Sequence, residues 1–370
     1  MEASDGPVRL GIIGCGNVTQ NRHLPAIHSL SDLQVVALAD VDDDRLQQAA
    51  DKYGIERRYS DYRALLDDQD VEAVAVCVPL GFHAETALAA LDASKHVFIE
   101  KPLAPTVDEA DALIRRAADS RCRIMVGYNK RWHRLVRQAR VMIQEGRLGQ
   151  IELVSSCFTA GTHYKRDVLE WKKRRAMGGG VLMEFATHYF DLWRFLLNTE
   201  VDEVHASTRS DQWDDVTGTI TARLSNGGLV AAYFSEWTTE RNETHIFGRS
   251  GSIHLSVYRF DGLEFVPLST STGQLRHRLA KVVDSVRRLP RAAVYFRSGG
   301  EYYASFVEQW RHFARSIRHG VPVECTLEDG LRALEVALAA VKSASIDRPV
   351  RVKEAPREIT ALAKDLRTDE

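Results

Sequence analysis

Short apolar runs alternate with amphipathic stretches through the first third of the chain. Residues 10–13, 35–39, 71–78, 96–99 and 123–126 read as strands, with a shorter one near 58–59. Between them, residues 24–30, 42–53, 62–66, 84–93 and 107–118 carry apolar side chains at helical spacing. The run 71–78 is apolar almost throughout, as a strand covered on both faces is. Strand and helix in strict alternation predict a parallel, doubly wound sheet with right-handed crossovers. A ligand of such a sheet lies at the carboxyl ends of its strands.

The rhythm changes near Gly127. A helix over 135–145 leads to strand-like segments at 151–159, 203–209, 217–224, 229–237, 245–248 and 252–257, with few helices between them. Asn226-Gly227-Gly228 has the composition of a tight hairpin turn. Two longer helices are expected over 301–319 and 327–345. The expected fold is therefore α/β, a parallel sheet domain over 1–127 followed by an α+β domain with a mostly antiparallel sheet over 128–352. A charged tail, 353–370, closes the chain.

A chain of 370 residues exceeds one ordinary core, which agrees with two domains. Its formal net charge of -2 gives no basic field to recruit nucleic acid. No apolar run reaches bilayer length, and the first ten residues hold no apolar leader. The five cysteines (Cys15, Cys77, Cys122, Cys157, Cys325) are odd in number, widely spread and without a CxxC pair. They are expected as reduced thiols, and the protein as cytoplasmic.

Three segments carry candidate chemistry. The first strand runs into Gly14-Cys15-Gly16-Asn17-Val18-Thr19, and Asp40 ends the next strand 24 residues past Gly16. Glycines that let backbone approach a pyrophosphate, followed at this distance by an acid, form the layout of a dinucleotide site. The usual third glycine is replaced by Thr19. Asp40, followed by Val41-Asp42-Asp43-Asp44 and no arginine, favours NAD over NADP. In Glu100-Lys101-Pro102 the lysine stands at a strand end, where it can polarise a hydroxyl or exchange a proton. The third segment is Gly178-Gly179-Gly180 followed by Glu184, His188 and Asp191 at helical spacing. A histidine flanked by carboxylates on one face can be held in one tautomer as a general base, or the same set can bind a metal.

Together these motifs resemble the family of glucose–fructose oxidoreductase, inositol dehydrogenase and rhizopine-catabolism oxidoreductases (Gfo/Idh/MocA). The resemblance takes in 11–19, His23-Leu24-Pro25-Ala26, Val78-Pro79 with His83, Glu100-Lys101-Pro102, residues 127–131, 145–149, 178–191 and Glu328-Asp329-Gly330-Leu331. It implies an N-terminal Rossmann domain, a C-terminal domain with an open sheet, and a homodimer or homotetramer. It implies hydride transfer between NAD(P) and a carbon of a sugar, cyclitol or sugar nucleotide, with Lys101, His188 and Glu184 as catalytic residues and no metal. Glu184 stands where aspartate is usual, and Ala186 where glycine is common. The expected cofactor set is Gly14, Gly16, Asn17, Val18, Thr19, Asp40, Pro79, His83, Glu100 and Lys101. Asn129, Arg131, Tyr164, Lys165, Trp171, Lys172, His188 and Asp191 are expected around the substrate, with Glu184 or Asp191 orienting His188. The lysine and histidine are expected to converge beside the nicotinamide.

Between residues 275 and 297 lie seven cations and one acid, Asp284, with apolar residues at helical spacing. Contact with an anionic membrane surface is the minority reading for this segment; packing on the chain's own domain or a sister subunit is favoured. An NAD-dependent glycosidase of the same fold and a non-catalytic sensor are the competing readings of the whole.

Overall fold

The computed structural model describes residues 6–161, 168–270, 283 and 300–358. The chain divides into two compact units. The first runs to Asn129 and also takes in Phe306–Leu334; the second comprises Lys130–Ser305 and the chain from Glu335 on.

The first unit is built on six parallel strands: β1 (Val8–Ile13), β2 (Leu33–Ala39), β3 (Arg57–Tyr59), β4 (Ala73–Val76), β5 (His96–Ile99) and β6 (Ile124–Val126). Their order is β3-β2-β1-β4-β5-β6, so the winding reverses between β1 and β4. At such a reversal the crossovers leave in opposite directions and a crevice opens at the strand ends. The crossovers carry α1 (Leu24–His28), α2 (Asp43–Tyr53), α3 (Tyr62–Asp67), α4 (His83–Asp92) and α5 (Val107–Ala118). Local chemistry sets their starts. Asp42 accepts from Arg45 N at the head of α2, and Thr106 accepts from Glu109 N at the head of α5. β4 is fully buried along its length, as its continuous apolar pattern required, although the strand is shorter than the run 71–78.

The second unit contains α6 (Arg134–Gln144), β7 (Ile151–Gly161), α7 (Val181–Glu184), α8 (Thr187–Leu197) and the strands β8 (Val201–Arg209), β9 (Thr217–Leu224), β10 (Leu229–Ser235), β11 (Trp237–Gly248), β12 (Gly251–Ser256), β13 (Leu263–Pro267) and β14 (Val350–Arg351). They form an eight-stranded sheet ordered β13-β12-β11-β7-β10-β9-β8-β14. Every pairing is antiparallel except β7 with β10. The Asn226-Gly227-Gly228 turn closes the β9–β10 hairpin, with Gly227 at φ +87°. Burial alternates along β9 and β10, so one face is covered and the other is open. α8 lies on the covered face: Trp193 Nε1 donates to Ser156 Oγ, and the Tyr189 and Phe234 ring centroids are 5.4 Å apart.

Two helices of 20 residues each, α9 (Gly300–His319) and α10 (Leu327–Ile346), follow. In the first unit, Trp310 and Phe313 of α9 pack on Phe98 of β5, with centroids 4.3 and 6.1 Å from it. The expected basic segment 275–297, apart from Val283, lies outside the described residues, as do residues 359–370 of the tail.

Candidate active site

In the first unit, β1 delivers the glycine turn to the strand ends. Gly14 has φ +98°, and a Cβ there would stand 2.4 Å from the carbonyl oxygen of Cys77. Only glycine fits. Gly16 differs: a Cβ there would meet nothing within 4 Å. The protein makes no demand for a bare backbone at Gly16, which fits a position kept clear for a ligand. The missing third glycine also has a physical account. Thr19 is buried, and its Oγ1 donates to Gly14 O at 2.6 Å. The hydroxyl closes the turn that a glycine would merely permit. The chain is helical from Asn17 to His28, with a wide π turn over Thr19–His23.

Asp40 stands at the end of β2. One oxygen accepts from Cys15 N at 2.6 Å, the other from Asp42 N at 2.9 Å. Each carboxylate oxygen keeps a lone pair for a further donor. The acid therefore ties the glycine turn to β2 while still able to receive ribose hydroxyls. Cys15 beneath it is buried; burial first, then the Asp40 and Cys77 charges, push its thiol up to about 12. All five cysteines are free thiols.

At the end of β5, Lys101 N donates to Glu100 Oε2 at 3.1 Å, and the Lys101–Pro102 peptide is cis. Glu100 Oε1 lies 3.0 Å from Nε2 of His23, which is fully buried. Burial works against a charge on His23, while the Cys77 thiol and Glu100 draw its pKa upward. Trp310 Nε1 donates to His23 Nδ1 at 3.1 Å. A protonated Nδ1 would face that N–H donor to donor, so the hydrogen bond selects the neutral ring with its proton on Nε2. Burial would raise the Glu100 pKa, but His23 and Lys101 hold it below the usual carboxylate value. A Cβ on Gly127 would come 2.9 Å from Glu100 Oε1, so that glycine makes room for the carboxylate. Glu100 is thus bound into the protein on both oxygens. His83, expected beside the cofactor, has both ring nitrogens against backbone: Nδ1 is 2.7 Å from Pro102 O and Nε2 is 2.9 Å from Val78 O. Pro79 heads the turn Leu80–Phe82 that leads into α4. Asn129, where the chain leaves the unit for the first time, is buried.

In the second unit, the triple glycine lets two loops interlock. Gly180 has φ +83°, and a Cβ there would lie 2.9 Å from that of Asp215; one on Gly179 would lie 2.2 Å from Lys172 O. Arg175 clamps the same contact, its Nε and Nη2 each 2.6 Å from an oxygen of buried Asp215. Neither residue stood out in the sequence. Arg175 is one of four consecutive cations, and nothing local says which of them finds an acid.

The expected single helix over Glu184, His188 and Asp191 is two helices, α7 and α8, joined at Phe185-Ala186. Ala186 N bonds back to Val181 O, and Tyr189 N to Ala186 O, so the bonding slips by a residue and then tightens. Glu184 accepts from Lys172 Nζ at 2.5 Å. That ammonium also lies 5.1 Å from the centre of the Trp171 ring. Lys172, Trp171 and Glu184 thus form one cluster. His188 is buried on α8. Arg131 and Asp191 form a buried bidentate pair with contacts of 2.5, 2.8 and 3.0 Å. Asp191, expected near His188, holds the Arg131 guanidinium. Lys130, beside them, is also buried: its Nζ donates to Asn242 Oδ1 at 2.8 Å and lies 3.7 Å from the Tyr189 ring centre. Tyr164 and Lys165 lie outside the described residues. Among the described residues, no three His, Cys, Asp or Glu side chains gather as a metal site, and no helix is long and apolar enough to cross a membrane.

A doubly wound parallel sheet that reverses between β1 and β4, with a glycine turn at the first strand end and an acid at the second, defines a dinucleotide-binding unit. Residues 8–128 match the NAD-binding Rossmann domain of the Gfo/Idh/MocA oxidoreductase family, and 136–254 match its C-terminal domain. The chain belongs to that family and is an NAD-binding oxidoreductase of dehydrogenase type. It is 26% identical to myo-inositol 2-dehydrogenase of Thermotoga maritima over 358 residues, covering 94% of this chain and 99% of that one. Inositol 2-dehydrogenase of Rhizobium meliloti is 27% identical over 356 residues, with 93% and 99% covered. The fold also matches the Bordetella pertussis WlbA dehydrogenase, solved with NADH and UDP-GlcNAcA, at TM-score 0.78 and 21% identity, with 94% and 98% covered.

Proposed function

We propose that this protein is an NAD-dependent dehydrogenase of a cyclitol or sugar, with Lys101 and His188 managing the proton and the oxyanion. The observation that carries the reading is the joint presence of a strand-end Lys101 and of His188, four residues after Glu184, in a chain that matches inositol 2-dehydrogenases along almost their whole length. Gly14, Gly16, Asn17, Val18 and Thr19 would take the pyrophosphate, and Asp40 the adenosine ribose. Asp40 and the acidic residues after it would repel a 2′-phosphate, which favours NAD over NADP. A bound NAD would supply the hydride acceptor for the carbinol carbon. His188 takes the hydroxyl proton, and the Lys101 ammonium stabilises the developing alkoxide. Asn129, Trp171 and Lys172, with Tyr164 and Lys165, would contact the polyhydroxylated ring. Trp171 offers it an apolar plate, and Lys172, held by Glu184, a donor.

The open face of the eight-stranded sheet is the proposed surface for a homodimer or homotetramer. Leu229, Leu153 and Phe247, in register across β10, β7 and β11, are each more than a third exposed there. Offering inositols, sugars and sugar nucleotides with NAD, and following NADH absorbance, tests the function. Substrate-dependent NADH formation that Lys101→Met abolishes is the expected result. Product without net NADH would mark a glycosidase, and binding without turnover a sensor. Neither is favoured, because curated relatives of this chain are named dehydrogenases, a reductase and oxidoreductases.

A further inference from the structure

We propose that His83 is a positioning residue for Lys101, strapping the Lys101–Pro102 peptide to the loop that leaves the neighbouring strand; the proposal rests on the reading of Lys101 as catalytic. β4 and β5 are adjacent and parallel, paired Val76 to Ile99, and each ends in a loop at the same edge of the sheet. His83, at the head of α4 and 2% exposed, spans those loops through Nδ1 to Pro102 O and Nε2 to Val78 O. The chain beyond Pro102 is buried at Leu103 and Ala104, with Gly330 against the Leu103 side chain. Pro102 O is therefore a buried acceptor that needs a donor, and the donor it has is the imidazole.

A neutral imidazole has one N–H, and here two carbonyls face its two nitrogens. Burial favours the neutral ring, and the nearby Lys101 ammonium opposes a second cation; the two carbonyls and Glu100 pull towards the charged form. The tautomer with its proton on Nδ1 donates to Pro102 O, on the Lys101 side, and leaves Nε2 without a proton for Val78 O. The ring thus holds the peptide next to Lys101 without touching the reaction.

Asparagine and glutamine separate the two contacts. The carboxamide introduced by His83→Asn places its NH2 near the Nδ1 position and can bond Pro102 O. His83→Gln places it near Nε2 and reaches Val78 O instead. His83→Leu removes both. The expected result is that His83→Asn retains kcat within about threefold of the parent, while His83→Gln and His83→Leu fall at least tenfold. KM for NAD should stay unchanged in all three. Competitive acylation of Lys101 by acetic anhydride across pH, read by mass spectrometry without substrate, should shift its midpoint by half a pH unit or more in the Gln and Leu variants but not in Asn. If Leu does not fold, the Asn–Gln contrast decides alone. Equal behaviour of Asn and Gln, or parent-like labelling in Gln, would overturn the strap. Normal turnover by Lys101→Met would instead overturn the catalytic reading, and the labelling would still report on the strap.

Discussion

Replacing Asp191 by leucine would leave the Arg131 guanidinium in the interior of the second unit without its counter-charge. The two side chains are 4% and 1% exposed, so water reaches neither. Three nitrogen–oxygen contacts, of 2.5, 2.8 and 3.0 Å, join them. Removing one member of such a pair costs about 3–5 kcal/mol, because the remaining charge stays desolvated. Replacing both with apolar side chains of similar volume is close to neutral. Asp191→Leu should therefore destabilise the second unit by about 3–5 kcal/mol, a large part of the roughly 5–15 kcal/mol that holds a domain folded. Arg131→Met with Asp191→Leu should recover most of the loss. Urea unfolding of the four proteins in the cycle, followed by tryptophan fluorescence, measures the coupling. A coupling below about 1 kcal/mol would refute the argument, since exposed pairs reach that value. Parent-like stability of Asp191→Asn with a collapsed kcat would instead return Asp191 to the substrate.

The two glycines of the first turn should fail differently. Gly14→Ala, with its Cβ driven against Cys77 O, should lower the unfolding midpoint; Gly16→Val should keep it and lose NADH binding, as read by fluorescence titration. Thr19→Val removes the donor to Gly14 O, and a stranded buried carbonyl costs roughly 1–3 kcal/mol in thermal or urea unfolding. Acidic pH should destabilise the protein through His133. Burial above all, with the Arg134 and Lys130 charges, pulls its pKa from 6.5 down to about 4. The folded ring then refuses a proton that the unfolded ring accepts, so stability falls as pH drops from 6.5 towards 4 and levels off below. The full effect is roughly 3 kcal/mol. His133→Asn keeps a helix cap and should flatten that slope in denaturation measured across the range; an unchanged slope would acquit His133.

Much of the first unit was written in local chemistry. Each strand there is a short apolar run and each helix an amphipathic one, so period and turn residues sufficed to give the order of elements. The Gly14 turn, Asp40 and Lys101 fell at strand ends for the same reason. The second sheet was less legible. β11 passes through Thr238-Thr239-Glu240-Arg241-Asn242-Glu243-Thr244, polar enough that only its last residues looked like strand. Its pairing with β7 and β12 supplies the hydrogen bonds that local composition does not advertise. β13 and β14 are short strands at the two edges of the sheet, and neighbours define them.

What the sequence determined by itself was which residue types stand at which strand or helix end, since that follows from spacing along one chain. What only the tertiary structure decided was how their charges and hydrogen bonds are shared out. Asp191 goes to Arg131, Glu184 to Lys172, Glu100 to His23 and the Lys101 N–H, and both nitrogens of His83 to backbone. An ionisable group near several candidates in sequence takes the partner that folding leaves beside it when water is removed, and for Glu184, Asp191 and Glu100 with His23 that partner lies 12, 60 and 77 residues away.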